Sequence, residues 1–161
     1  MNKETNKEIE RKFLVDDRSG SWRNARYSEI RQGYLSTDKH RTVRLRTVGD
    51  AAYLTIKGLT EGATRAEYEY PIPAADAGEM LDTLCLRPLI EKRRHRVEYG
   101  GLIWEVDEFY GDNDGLIIAE IELENVRQAF DKPPWAGAEV TDDPRYYNAN
   151  LVSNPYTKWK T

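Results

Sequence analysis

The feature that most restricts this chain is a set of charges spaced two residues apart. In Glu8-Ile9-Glu10-Arg11-Lys12-Phe13-Leu14-Val15, a period of two sets Glu8, Glu10 and Lys12 on one side and Ile9, Arg11 and Phe13 on the other. Alone, such a segment reads as a solvated edge strand of mixed charge. The device recurs in six further segments. Arg44 and Arg46 share a face opposite Val43, Leu45 and Thr47, and Lys57 is in step with Thr55 and Tyr53. Arg65, Glu67 and Glu69 alternate with Ala66, Tyr68 and Tyr70, and Lys92, Arg94 and Arg96 alternate with Arg93, His95 and Val97. Glu105 and Asp107 alternate with Trp104 and Val106, and Glu120, Glu122 and Glu124 with Ala119, Ile121 and Leu123.

An ordinary half-buried sheet turns its polar face to water. Across seven strands that arrangement needs a very large, flat, charged surface. The alternative is a barrel with a charged inside, its apolar outside covered by helices. The order of segments fits. Tyr27 to Ser36, His40 to Val48, Ala52 to Lys57, Arg65 to Ile72, Lys92 to Tyr99, Leu102 to Phe109 and Leu116 to Glu124 follow the first strand, with hairpin signals at Gly49-Asp50 and Gly100-Gly101. The period turns helical over Ala74 to Leu86, where Ala77, Met80, Leu81 and Leu84 fall on one face. Asp16 to Arg26 reads as a connection anchored by Trp22. A short helix is expected over Asn125 to Phe130. Another is expected from the Asp142-Asp143-Pro144 start to about Leu151, closing one end of the barrel with Arg145 and Tyr146. The fold class expected is mostly β (α+β), a closed eight-stranded antiparallel barrel, which also removes sheet edges. At 161 residues, one domain over 1–161 with a core of about 8–152 is expected.

Composition narrows the partners. Charged residues make up 32% of the chain, above the usual quarter, yet net charge is only −4. That balance argues against a nucleic-acid or membrane partner, both of which favour a basic face. Cys85 is the only cysteine, so no internal disulfide forms; the lone thiol sits in an apolar-periodic segment and fits a reducing cytoplasm. Met1 to Lys7 is polar and no segment suits a signal peptide or a spanning helix, so a cytoplasmic protein is expected.

Buried charges must be paired or hold ions. The two signs are sorted between strands. Glu8, Glu10, Asp107, Glu120 and Glu122 form a candidate acidic group, and Lys12, Arg44, Arg46, Lys57, Lys92 and Arg94 a candidate basic group. Clustered carboxylates favour Mg2+ or Mn2+. Guanidinium and ammonium groups favour a compact polyanion such as a phosphate chain. A metal beside a basic cluster describes phosphoryl transfer.

Glu-x-Glu-x-Lys at Glu8, Glu10 and Lys12 resembles the signature of the CYTH domain, or triphosphate tunnel metalloenzyme, superfamily. Further matches are Arg-Gln-Gly-Tyr-Leu at Arg31 to Leu35, Arg-Leu-Arg at Arg44 to Arg46, Thr-Ile-Lys-Gly at Thr55 to Gly58, Glu-Tyr-Glu at Glu67 to Glu69 and Glu-Lys-x-Arg at Glu91 to Arg94, with Glu120 and Glu122. The resemblance implies an eight-stranded tunnel acting on a small triphosphate substrate. It implies Glu8, Glu10, Asp107, Glu120 and Glu122 as metal ligands and Lys12, Arg44, Arg46, Lys57, Lys92 and Arg94 as the phosphate grip. Pro133 to Trp135 and Glu139 to Asn148 resemble small bacterial tripolyphosphatases, which implies hydrolysis of tripolyphosphate to pyrophosphate and phosphate. A class IV adenylate cyclase or a thiamine triphosphatase is the alternative, and a homodimer is compatible with the family. Glu8, Glu10, Lys12 and Lys57 are the expected catalytic residues. Adjacent Lys12 and Lys57 would depress one another's pKa, leaving a neutral amine to take a proton from water.

Overall fold

The computed structural model describes residues 6–16 and 20–159; most of the polar N-terminal segment and part of the connection after Asp16 lie outside the described residues. Nine strands follow one another: β1 (Lys7–Val15), β2 (Tyr27–Ser36), β3 (Thr42–Val48), β4 (Ala51–Lys57), β5 (Thr64–Pro71), β6 (Ile90–Tyr99), β7 (Leu102–Phe109), β8 (Ile117–Glu122) and β9 (Ala136–Glu139). All pairings are antiparallel in the order β5-β4-β3-β2-β6-β7-β8-β1, and β1 pairs again with β5, so eight strands close into a barrel. Among the described residues, the closing junction opposes Lys7, Glu8 and Ile9 to Ala66, Arg65 and Thr64. Further along β1, β9 takes that side, opposite Phe13 and Val15. This ninth strand, Ala-Gly-Ala-Glu, has no β-branched or aromatic residue to announce it.

Two different covers protect the outer wall. The helix α1 (Ala74–Thr83) and the turn after it lay Leu81 and Cys85 on Leu45 of β3, with Leu54 and Met80 at the margin. Over β1, β7 and β8 the cover is aromatic and irregular rather than helical. Trp22, from a 3-10 turn at Ser21–Asn24, joins Phe130 and Trp135 over Phe13, Trp104, Val106 and Ile121. Trp22 and Trp104 are fully buried; at ~25 cal/mol per Å2 and ~200 Å2 each, burial contributes roughly 5 kcal/mol gross per ring. The helix expected at Asn125 to Phe130 is a turn instead. Asn125 Oδ1 accepts from the Arg127 amide at 3.0 Å and Gln128 Oε1 from the Glu124 amide at 2.6 Å, and these local bonds displace the helical ladder.

The inward-facing set changes character along the barrel. At one end it is apolar: Tyr34, Ile90, Phe109 and Ile118, with Leu14 beside them, are sealed by Tyr146, Leu151 and Val152. The sealing segment starts as expected, with Asp143 Oδ1 accepting from the Arg145 amide at 3.1 Å and Pro144 opening a 3-10 turn. It is not one helix, however. Tyr147 is extended (ψ 131°), and α2 (Asn148–Ser153) begins after it. Trp159 packs edge-on against Tyr146 and Tyr156, which ties down the tail. Among the described residues, no helix is long and apolar enough to cross a membrane.

Candidate active site

The other end of the barrel holds a cavity of about 600 Å3. Strand pleating aims Glu8, Glu10 and Lys12 (β1), Arg44 and Arg46 (β3), Lys57 (β4), Lys92 and Arg94 (β6), and Glu120 and Glu122 (β8) into it. Of the residues expected from the sequence, only Asp107 does not line it. Arg65, Glu67, Glu69 and Glu105 line it as well, whereas Arg96, further along β6, is exposed and does not. Arg11 and Arg93, of opposite parity, point outward and pair with Glu139 and Glu29. His40 lies in an exposed turn beside Asp38, and His95 is buried under Trp22 and Tyr27, so neither reaches the cavity.

On the acidic side, register sets Glu10 opposite Glu122 and Lys12 opposite Glu120. Facing carboxylates repel unless a cation stands between them. Lys12 Nζ lies 2.8 Å from Glu10 and 3.3 Å from Glu120, and Lys57 Nζ lies 2.6 Å from Glu8 and 3.6 Å from Glu67. Burial works against the charge on Lys12, but Glu10, Glu120 and Glu8 outweigh it and hold the ammonium pKa above its usual value. Burial likewise opposes the Glu10 charge, and Lys12 wins, bringing Glu10 down to about 2. The expected mutual depression of Lys12 and Lys57 is therefore corrected for Lys12: its nearest charges are carboxylates, and it stays an ammonium.

The basic side is built differently. Asp107, fully buried, takes Arg94 Nε and Nη2 at 2.7 and 2.8 Å and Lys92 Nζ at 2.9 Å. Both its oxygens are thus committed beneath the cavity rather than presented to it. Burial raises the Asp107 pKa and Arg94 and Lys92 lower it, with a net fall. Arg44 donates to Thr55 at 3.2 Å, with Glu69 at 3.7 Å. Arg46 donates from Nε to Gln32 Oε1 at 2.8 Å and has no carboxylate within ion-pair distance among the described residues. Burial, then Arg44 and Arg94, push Arg46 down to about 9, and burial pushes Lys92 down to about 7 against the pull of Asp107. A guanidinium does not lose its proton at neutral pH, so this wall holds cationic charge that its own carboxylates do not offset.

Two residues of this wall carried no signal in the charge pattern. Gln32 is fully buried on β2, and Asn148 opens α2; Asn148 Oδ1 accepts from Gln32 Nε2 at 3.0 Å and Lys92 Nζ at 2.9 Å. Asn148 does fall within the Glu139-to-Asn148 motif. Arg145 pairs with Asp143 and packs over Tyr146 and Trp159 at the sealed end, and it does not line the cavity.

The oxygen-only donors Glu8, Glu10, Glu120 and Glu122 suit a hard divalent cation. Among the described residues, no three such side chains are grouped to hold one. Lys12 standing between Glu10 and Glu120, and Lys57 on Glu8, account for this. The donor set fits a metal once those ammonium groups turn to another anion.

The CYTH domain model matches residues 6–150. The chain is 51% identical over 155 residues to an inorganic triphosphatase of Acetivibrio thermocellus, covering 96% of this chain and 98% of that protein. It is 38% identical over 149 residues to an inorganic triphosphatase of Nitrosomonas europaea, covering 90% and 96%. A crystal structure of an inorganic triphosphatase superposes with a TM-score of 0.65 at 35% identity, covering 90% of this chain and 93% of that one.

Proposed function

The chain belongs to the CYTH domain family, and from that premise we propose that it is a divalent-metal-dependent triphosphatase cleaving inorganic tripolyphosphate to pyrophosphate and phosphate. The observation that carries this reading is the division of one cavity into two walls. Four glutamates from β1 and β8 face a cluster of cations that lacks enough negative charge of its own. A linear polyanion bearing a metal complements both walls at once, and both curated relatives, named inorganic triphosphatases, support the assignment.

Glu8, Glu10, Glu120 and Glu122 would hold Mg2+ or Mn2+. The ion, when bound, supplies Lewis-acid polarisation of phosphoryl oxygens and a more acidic water. Arg44, Arg46, Lys92 and Arg94 bind the phosphate chain and offset charge gathering on the terminal group and on the departing pyrophosphate. Lys12 turns from its glutamates to phosphate oxygens, acting as a cation rather than as a base, and Lys57 turns from Glu8 to the same anion. One water is consumed, and the terminal P–O–P bond breaks. The matched span and the continuous barrel support reading the chain as one domain.

The test is release of phosphate from tripolyphosphate and from ATP, each with Mg2+ and with Mn2+, with cyclic AMP measured in the ATP reactions. Fast release from tripolyphosphate, lost in a Glu8→Gln, Glu10→Gln variant, is expected. Cyclic AMP without phosphate release would replace the hydrolase by a cyclase.

A further inference from the structure

Arg46 and Lys92 are the two cations of the basic wall that are held by neutral amides. Lys92 shares Asp107 with the bidentate Arg94, and Arg46 has no carboxylate partner among the described residues. Both are flexible side chains, and an anion site needs them held in one place before the anion arrives. A chain of neutral amides does this. Arg46 Nε donates to Gln32 Oε1, Gln32 Nε2 donates to Asn148 Oδ1, and the same Asn148 oxygen accepts from Lys92 Nζ. Each amide has a single workable orientation here, because Gln32 needs its oxygen toward a guanidinium and its nitrogen toward Asn148. Gln32 is fully buried and fixed by the sheet. Asn148 is fixed by the break at Tyr147 and by Asn150 Nδ2 donating to Pro144 O at 2.8 Å.

We propose that Asn148 is a positioning residue: its side-chain oxygen aims Lys92 directly, and Arg46 through Gln32, at the phosphate chain of the substrate. The inference rests on the triphosphatase reading. It makes the C-terminal segment part of the binding site as well as the seal of the barrel. A neutral amide suits the task, since a carboxylate in its place would compete with the anion for Lys92.

The experiment measures tripolyphosphate affinity by calorimetry in EDTA, and KM and kcat with Mg2+, for the full chain and for Asn148→Ala, Lys92→Met and the double variant. Loss of an acceptor shared with an ammonium is expected to weaken affinity about tenfold or more. KM should rise and kcat should fall with it, because the two cations that Asn148 aims also offset charge that develops in the reaction. In the Lys92→Met background the same substitution should weaken affinity by less than about threefold, because the main group it positions is already gone. Gln32→Met should reproduce the loss and add little to it in combination, and it serves if Asn148→Ala fails to fold. An equal loss in both backgrounds, or unchanged affinity, overturns the positioning role while leaving the enzyme reading intact. No binding of tripolyphosphate in EDTA together with no turnover in Mg2+ by the unaltered chain overturns the enzyme reading, and this inference with it.

Discussion

Asp107→Asn separates two roles for one carboxylate. The substitution keeps the shape of the side chain and removes its charge. Arg94, which makes two bonds of 2.7 and 2.8 Å to it, and Lys92, at 2.9 Å, then face a neutral amide in a fully buried place. Removing one member of a buried ion pair costs about 3–5 kcal/mol, because the remaining charge is left unpaired. Lys92 limits its share by giving up its proton, but Arg94 has no such escape. The upper half of the range therefore falls on the guanidinium, and for a chain of this size the melting temperature should drop by roughly 10 °C. The assay is urea unfolding in EDTA, with and without tripolyphosphate. The variant should be less stable without metal and should gain more from tripolyphosphate than the parent does, since the anion replaces the missing charge. A metal-free stability within about 0.5 kcal/mol of the parent would refute the argument and return Asp107 to the metal ligands expected from the sequence.

Lys92→Met should change how stability follows pH. The folded lysine titrates at about 7 while the unfolded one keeps its proton to about 10.4, so between these values the unfolded state binds more protons and stability rises with pH. The parent should gain on the variant by up to ~1.4 kcal/mol per pH unit from pH 7 to 9 in EDTA, and a flat difference would contradict the assignment. Gly33→Ala tests packing away from the charges. Its new carbon would lie 2.7 Å from Leu89 and 2.8 Å from Cys85, and a loss of about 1–3 kcal/mol in urea is expected with little change in KM.

The barrel was legible because its alternation is written in charge. Glu8, Glu10 and Lys12, or Glu120 and Glu122, cannot sit on a sheltered face without a common interior. Parity gives direction but not depth, however. Asp107 and Glu105 share a parity, yet one is sealed under Arg94 and Lys92 and the other borders the cavity. Parity also does not say which opposite charge a lysine meets, and that decided the state of Lys12. Gln32 and Asn148 stayed hidden because neutral amides leave no trace in a charge pattern. The expected C-terminal helix is interrupted at Tyr147, whose backbone is extended, and starts afresh at Asn148.

Among the described residues the junction between β1 and β5 joins three residue pairs, with one further backbone bond at each end (Glu67 N to Asn6 O and Glu10 N to Ala63 O), while each of the other seven junctions joins five or more pairs. The ring therefore has one weak link, and local opening should begin there. Glu8 stands on one bank of it and Arg65 on the other, and Leu59, Thr60, Gly62 and Ala63 of the adjoining loop also border the cavity. A bound substrate that touches both banks acts as a clasp. Protease cleavage at that loop, and exchange of the Lys7–Ile9 and Thr64–Ala66 amides, would then report occupancy, making the wall of the vessel a gauge of its contents.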